Sequence, residues 1–511
     1  MMSDIANFLK VSEVTEYSYK LQEFAALVDD LRERSKDVSF LDQIEDEVSK
    51  ALNSGQLNLF DTFVSCGLLG QLYTTKRCLT LPPEKAYYNH ELVMREVYYY
   101  RTLLRLTKEV VDRKVISLYN TARTSRYRAI VHLGGLYDYF GRFQEAQYLW
   151  LQAGCLNESD PLWRYNIGFS LASTHAYYED RAEPFVLARA KALLKKCLEK
   201  PEQYYSAVEI YDTIKQWKTP DISLDVSVEY DNTEEGKYNQ WVNHNWLRLN
   251  AYNDINPNSV LSQDDSLFFK GVYSPKADSN FGYRMFTLLN EIKQEYVSAR
   301  YLLYRYFQDS GSQHYSDKRV WLADNLDYVD YSYNLEIAKS AFRALYSILD
   351  KIAYALNEYL ELGLNARSVN FNDVWFSEKK TRKLRKQVLD MESNYSLSGL
   401  LFIRNDIYGG DENYLQDEGT IRLQSIRNAM EHRSIAIVAE GEFDDSGLVL
   451  KVSRKDFEAI GLSLIRTIRQ AIFCLVNMVN HNEYDKKLQI QEDGQMIIPQ
   501  EVSVIRDEQK V

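Results

Sequence analysis

The sequence of 511 residues predicts an all-α protein, with helical repeats in its N-terminal half and a helical bundle in its C-terminal half. Gly and Pro are scarce, at 21 and 9 residues, which favours helices over β-sandwiches or disorder. Several long segments repeat apolar residues every three or four positions, the period of an amphipathic helix. Because hydrophobic residues make up 45% of the chain, we expect sizeable cores.

The N-terminal region, residues 1–85, is predicted to be helical, and its first ten residues lack the pattern of a signal peptide. The five cysteines are far apart and form no C-x-x-C motif, so neither a zinc finger nor a disulfide framework is expected. The apolar stretch 463–480 carries two arginines, which favours a buried amphipathic helix over a membrane span. We therefore expect a cytoplasmic protein that does not bind a membrane.

Residues 86–215 are predicted to form tetratricopeptide (TPR)-like repeats. The stretch "HLGGLYDYFGRFQEAQYLWLQA" places Gly134 and Ala146 where two helices of a repeat cross, and Tyr137 and Trp150 beside them. A degenerate second unit follows, with Gly168 on its first helix. Since stacked repeats need at least about three units, the flanking helices are expected to complete the array. An ordinary helical hairpin is the alternative.

Residues 216–285 are predicted to be an irregular connecting segment that packs through its aromatic residues, with a short strand possible. A helical bundle is expected over 286–485. Its predicted helices cover roughly 281–307, 334–362, 379–408, 419–440 and 453–479. The last of these has Ser453 as its predicted N-cap. The C-terminal tail, 486–511, is predicted to be a strand pair or disordered.

The fourth predicted helix of the bundle contains Arg427-Asn428-x-x-x-His432. Spacing alone is weak evidence for a site, because Arg126 and His132 show a similar spacing inside the TPR-like unit. There a structural role is expected.

Helix geometry places Arg427 and His432 on different sides of this helix. At about 100° per residue, Arg427 lies roughly 80° from the apolar stripe, and His432 roughly 140° from it on the other side. The stripe is formed by Leu423, Ile426, Met430 and Ile437. A two-fold axis beside the helix would bring Arg and His from two copies into one cleft. Two surface residues without a role are the alternative.

The C-terminal half resembles the HEPN superfamily of helical domains, in the branch where a HEPN domain follows TPR-like repeats. The resemblance is carried by four segments, "HYSDKRVWLADNLDYVDYS" (314–332), "AFRALYSILDKIAYALNEYL" (341–360), "NYSLSGLLFIRNDIY" (394–408) and "RNAMEH" (427–432). It implies that Arg427 and His432 are catalytic residues of a metal-independent ribonuclease with a cleft across a homodimer. Asn428 matches the polar residue after the Arg, and Asp350 is our choice for an acidic residue from an earlier helix.

The residue types suit RNA cleavage without a metal. A neutral His can take the proton of the 2′-hydroxyl, and a protonated His from a second copy can protonate the leaving oxygen. Arg427 can bind the phosphate oxygens, Asn428 can orient the phosphate or the His, and Asp350 can fix the imidazole tautomer. Because the chain has no H-E-x-x-H motif and no glycine-rich phosphate loop, we expect no metal and no nucleotide cofactor.

A basic run, "EKKTRKLRKQ" (378–387), is the best local site for RNA phosphates, since a chain with a net charge of −12 offers no bulk attraction for nucleic acid. A helix would present four cations along one side, at Lys379, Arg382, Lys383 and Lys386. A solvated helix face is the alternative.

The sequence therefore predicts a homodimeric endoribonuclease that acts on RNA. The resemblance pairs TPR-like repeats with a HEPN-like domain, and by association this pairing implies a toxin or antiviral defence effector. Its TPR-like groove would bind a protein or peptide and act as the sensor. The main alternative is a non-catalytic scaffold, in which the bundle dimerises and the repeats recruit partners.

Overall fold

The computed structural model describes residues 15–34, 39–81, 91–112, 116–178, 181–199, 205–273, 280–308, 313–323, 329–378, 380–391, 393–409, 418–439, 441, 443–445, 447–492, 505 and 507–510. The chain divides into two compact units. The first holds the described residues within 1–172, 190–216 and 409–418, and the second holds the rest. Helices dominate both units, which confirms the prediction of an all-α protein.

The first unit is a series of helices. Those that lie wholly or mostly in it are α1 Glu16–Arg34, α2 Ser39–Asn53, α3 Leu59–Thr80, α4 Glu91–Asp112, α5 Ile116–Tyr139, α6 Phe143–Leu156, α7 Leu162–Thr174, α8 Glu183–Cys197 and α9 Tyr205–Ile214. Asn58 caps α3, because its side-chain oxygen accepts the Asp61 N–H at 2.7 Å. Gly141, at a φ of 72°, forms the tight turn between α5 and α6.

The small residues of the predicted TPR-like unit lie at helix contacts. A Cβ on Gly134 would collide with the Trp150 indole, whose Nε1 donates to the Val131 carbonyl at 3.2 Å. A Cβ on Gly168 would lie 2.8 Å from Leu194. These contacts fit a close crossing of paired helices, and assignment to the TPR family stays a prediction.

Arg126 and His132, the other pair with a similar spacing, both contact a neighbouring helix of this unit. Arg126 donates through Nη1 to the Leu104 carbonyl at 2.9 Å, and the His132 ring stacks on Tyr100 with centroids 5.2 Å apart.

The second unit is built on three long helices. Its helices are α10 Glu234–His244, α11 Phe281–Gln308, α12 Tyr333–Tyr359, α13 Lys386–Leu389, α14 Tyr395–Tyr408, α15 Glu418–His432 and α16 Arg454–Glu492. Its strands are β1 Phe376–Glu378, β2 Lys383–Leu384, β3 Ser434–Val438 and β4 Val449–Ser453. β1 pairs with β2 antiparallel, and β3 pairs with β4 in parallel.

Helix α16 forms the centre of the second unit. The predicted cap is present, since the Ser453 hydroxyl accepts the Asp456 N–H at 3.1 Å. Among the described residues, Arg454–Ile490 is one stretch long and apolar enough to cross a membrane, and most of that stretch is buried inside the protein, as in a core helix. The helix runs to Glu492, so the prediction of a strand pair or disorder is wrong for the start of the tail; residues 493–504 lie outside the described part of the chain.

The segment 217–273 does more than connect domains. It contains helix α10, which the sequence analysis missed, and a single antiparallel bridge between Ser227 and Ser259. Two buried ion pairs attach it to the long helices, Arg300–Asp265 to α11 and Arg469–Asp254 to α16.

The predicted aromatic packing of this segment is visible. Tyr252 is buried, and the Trp241 ring lies 5.6 Å from Tyr304.

Two predicted helices are wrong in part. The fourth stops at His432, and the β-branched run that follows forms β3, because its backbone pairs with β4. The third, predicted over 379–408, is a hairpin, the single turn α13, and α14. The hairpin turns at Arg382, whose φ is 50°.

Candidate active site

Helix α15 carries Arg427, Asn428 and His432. It is fixed in the unit by an apolar side on which Ile426 and Ala429 are fully buried. The Tyr346 hydroxyl of α12 adds a hydrogen bond to the Leu423 carbonyl at 3.3 Å.

Arg427 is half-buried between aromatic rings. Its guanidinium carbon lies 4.4 Å from the ring centroid of Tyr408, the last residue of α14, and 5.9 Å from that of Tyr346 on α12. A guanidinium is attracted to the face of an aromatic ring and stays charged at any physiological pH. The two rings therefore hold a permanent positive charge in one place.

Asp350 lies one helical turn after Tyr346 on α12. Its carboxylate accepts the backbone N–H of Phe371 at 2.9 Å, and the Phe371 ring lies 6.3 Å from that of Tyr408. Asp350 is thus linked through Phe371 to Tyr408, the ring that lies under Arg427. The described hydrogen bond gives it a role in holding the backbone at Phe371.

His432 is the last residue of α15 and is exposed, as is Asn428. The residue after it closes the helix end, because Arg433 pairs with Asp445 at 2.5 Å and donates to the Gly447 carbonyl at 3.2 Å. These contacts fold the β3–β4 connection back toward the end of α15.

Arg427 and His432 lie on different sides of α15. Five residues of an α-helix correspond to a separation of roughly 140°. Arg427 faces the tyrosines and His432 faces solvent. One copy of α15 therefore does not direct both side chains into a single cleft.

The basic run does not form the predicted helix face. Arg382 forms the hairpin turn, Lys383 lies in β2, and Lys386 opens α13. Lys379 lies outside the described residues. The prediction of one helical stripe is wrong, because the chain pairs as a hairpin that also brings the Arg385 N–H to the Trp375 carbonyl at 2.9 Å.

The hairpin is attached to the helix that supports Arg427. Arg404 of α14 donates through Nε to the Asn372 carbonyl at 3.1 Å, and its guanidinium lies 5.1 Å from the Phe376 ring. α14 ends at Tyr408, so the basic hairpin and the ring under Arg427 share one support.

The sequence pattern alone does not identify Tyr408 and Tyr346 as the supports of Arg427. Both lie in segments that carry the resemblance, but only the fold shows that they meet α15. Within the described residues, no group of three His, Cys, Asp or Glu side chains is placed to hold a metal ion.

One known family matches the part of the chain that carries these residues. Residues 277–482 match the family described as LA2681-like HEPN. Neither a curated protein nor a solved structure matches this chain. The matched region contains Asp350, Tyr408, Arg427 and His432. Residues 277–482 therefore carry the C-terminal HEPN domain that the sequence predicts.

Proposed function

We propose that this protein is a metal-independent endoribonuclease whose active site forms across a homodimer. One observation carries the proposal: on the R-N-x-x-x-H helix of a HEPN domain, Arg427 is held charged against Tyr408 while His432 is exposed. The first group suits phosphate binding, and the second suits proton transfer.

The roles follow from the chemistry of RNA. His432 takes the proton of a 2′-hydroxyl, the freed oxygen attacks the adjacent phosphorus, and the bond to the 5′-oxygen breaks. The His432 of a second copy gives its proton to that 5′-oxygen. The products are a 2′,3′-cyclic phosphate and a free 5′-hydroxyl. Arg427 neutralises the charge that builds up on the phosphate oxygens, and Asn428 orients the phosphate.

The arrangement on α15 supports the proposed dimer. Because Arg427 and His432 point roughly 140° apart, two helices related by a two-fold axis would place one His on each side of a shared cleft. Asp350 has a positioning role in this proposal, since it holds the Phe371 backbone beside Tyr408.

The basic hairpin would guide the RNA toward this cleft. Lys383 and Lys386 are exposed, and Arg382 lies at the turn between them and Lys380. Lys379, in the same run, is included in the proposal on its sequence position alone. The hairpin shares its support with Arg427, which favours a phosphate path over a solvated face.

The first unit gives the nuclease its regulation in this proposal. Its close helix crossings fit a TPR-like array with a groove for a protein or peptide. Binding there would restrain or release the nuclease, as expected of a cytoplasmic toxin or defence effector.

The test uses variants with matched controls on purified protein and total RNA. His432→Ala should slow cleavage by about 10²–10⁴, the usual loss for a general acid–base. His244→Ala is the control, because His244 is also an exposed residue that ends a helix. Arg427→Ala should cause a comparable loss.

For Arg427, the control is Arg422→Ala on the same helix, since Arg422 also lies over a ring, that of Phe443, at 5.1 Å. If wild type and a correctly folded His432→Ala protein cleave RNA equally fast, the nuclease proposal is wrong and the non-catalytic scaffold takes its place.

A further inference from the structure

The loop between α11 and α12 exposes three consecutive apolar residues. Val320, Trp321 and Leu322 are 56%, 98% and 57% exposed. Large apolar side chains are normally buried, and a contiguous exposed group marks an interaction surface. We call these three residues the apolar tip.

The base of this loop is firmly held. The Tyr333 N–H donates to both carboxylate oxygens of Asp317, at 3.0 and 3.1 Å. The His314 ring stacks on Tyr333 with centroids 4.2 Å apart. Four residues of extended chain span at most about 14 Å, so the apolar tip lies close to this fixed base.

The C-terminal side of this loop is hydrogen-bonded to β3, the strand that follows α15. The Asp330 N–H donates to the Ile437 carbonyl at 2.8 Å, and Val329 bridges Val438 antiparallel. β3 begins two residues after His432. The loop is therefore anchored to the same structural element that continues α15.

Other exposed apolar side chains belong to the elements around α15. Ile421, in the first turns of α15, is 46% exposed, and Leu448 and Val449, where β4 begins, are 81% and 38% exposed. Val449 pairs with Ser434 in the parallel ladder. Exposed apolar side chains thus lie near both ends of α15, on its first turns and on the strand that pairs with β3.

We propose that the apolar tip binds a second copy of this chain and holds the two α15 helices together. The inference rests on the proposed function, because that function needs two copies at α15. The area supports this occupant: one Trp buries about 150–250 Å², so the apolar tip supplies a substantial part of the ~800 Å² that a stable interface takes from each partner.

The charges beside the apolar tip also favour a second copy of this chain. Lys318 and Arg319 are exposed beside the apolar tip, and the chain has a net charge of −12. A second copy carries more carboxylates than cations, 73 against 61, so on balance its charge attracts these two cations. Val320 and Leu322 favour a protein surface over RNA, because they add apolar area but no ring on which a base could stack.

The experiment measures the mass of the full-length protein by light scattering over a range of micromolar concentrations. Wild type should be a dimer. Trp321→Asp should weaken the dimer about 30-fold or more, the effect of losing a central Trp worth at least about 2 kcal/mol. Leu224→Asp is the control, since Leu224 is 64% exposed in the segment 217–273 and should leave the dimer unchanged.

Cleavage separates this inference from the nuclease proposal. The Trp321→Asp protein should lose RNA cleavage at low concentration and regain it at high concentration, whereas His432→Ala should stay dimeric and inactive. If the Trp321→Asp protein dimerises as tightly as wild type, the inference is overturned. This holds even if the variant binds RNA more weakly, because the apolar tip would then contact RNA and not a second copy. A wild type that is monomeric throughout would also overturn it, and His432→Ala would still test the nuclease on its own.

Discussion

The substitution Arg469→Met removes one side of a buried ion pair. Arg469 on α16 donates through Nε to the Arg248 carbonyl at 2.7 Å. Its two other nitrogens bond Asp254, at 3.0 and 2.5 Å, and the Asn250 carbonyl, at 3.3 Å. Both charged residues are buried. We expect the variant to separate the segment 217–273 from the core helix.

The magnitude follows from the burial of both charges. Removing one member of a buried pair leaves an uncompensated charge and costs about 3–5 kcal/mol. Burial already raises the pKa of Asp254, and Arg469 opposes that rise. Without Arg469 the carboxyl is driven further toward its neutral form. The free energy of unfolding of the second unit should fall by this amount.

Urea unfolding measures the loss of unfolding free energy. Hydrogen exchange then shows whether the segment 217–273 opens more readily. The double variant Arg469→Met with Asp254→Asn should recover a large part of the lost free energy, because no buried charge then remains. A change of less than about 0.5 kcal/mol in Arg469→Met, the size expected at an ordinary surface site, would refute the reasoning.

Three further predictions concern the site and its support. Tyr408→Leu should lower the rate of RNA cleavage about 2- to 30-fold, since a cation–π contact contributes about 0.5–2 kcal/mol to holding Arg427. Replacing Lys383 and Lys386 by Gln should reduce the log–log salt slope of RNA binding by about 0.7–0.9 for each lost phosphate contact. Burial alone would raise the pKa of Asp265, but the neighbouring arginines hold it well below its ordinary value. Asp265 therefore stabilises the fold above about pH 4, and this contribution is lost as the pH falls below that point.

Each of these predictions has a control. Tyr395→Leu, at the other end of α14, should leave the cleavage rate unchanged, and Lys487→Gln, an exposed cation on α16, should leave the salt slope unchanged. Asp265→Asn should lose stability at pH 7 and show a flatter acid unfolding curve than wild type. An equal slope in the two lysine variants and wild type would mean that the basic hairpin is only a solvated surface.

Local patterns were enough to predict the long helices. Apolar residues of α12 repeat every three or four positions. The members of this stripe are fully or almost fully buried, namely Ala341, Leu345, Leu349, Ile352 and Leu356. Ser453 caps α16 as the sequence predicts, because a cap depends on residues three positions apart.

Pairing at a distance explains the failures. β3 has only five residues, and its apolar run fits either a short strand or the end of a helix. It becomes a strand through β4, which begins eleven residues after β3 ends. The hairpin turn at Arg382 is not visible in the sequence, because an arginine and not a glycine adopts its positive φ.

Only the part of the site that lies on one helix could be predicted from the sequence. Arg427 and His432 share one helix, so their spacing is visible in the sequence. Tyr408 and Tyr346 come from α14 and α12, and only the packing of three helices brings them to Arg427.

The most direct test of the account examines the products of cleavage. The full-length protein is incubated in EDTA with an RNA oligonucleotide, and with the same oligonucleotide carrying one 2′-deoxy sugar at the cut site. We expect fragments that end in a 2′,3′-cyclic phosphate, a 2′-deoxy substrate that is not cleaved, and no product from the His432→Ala protein. Cleavage at the deoxy position, or equal cleavage by His432→Ala and wild type, would contradict it.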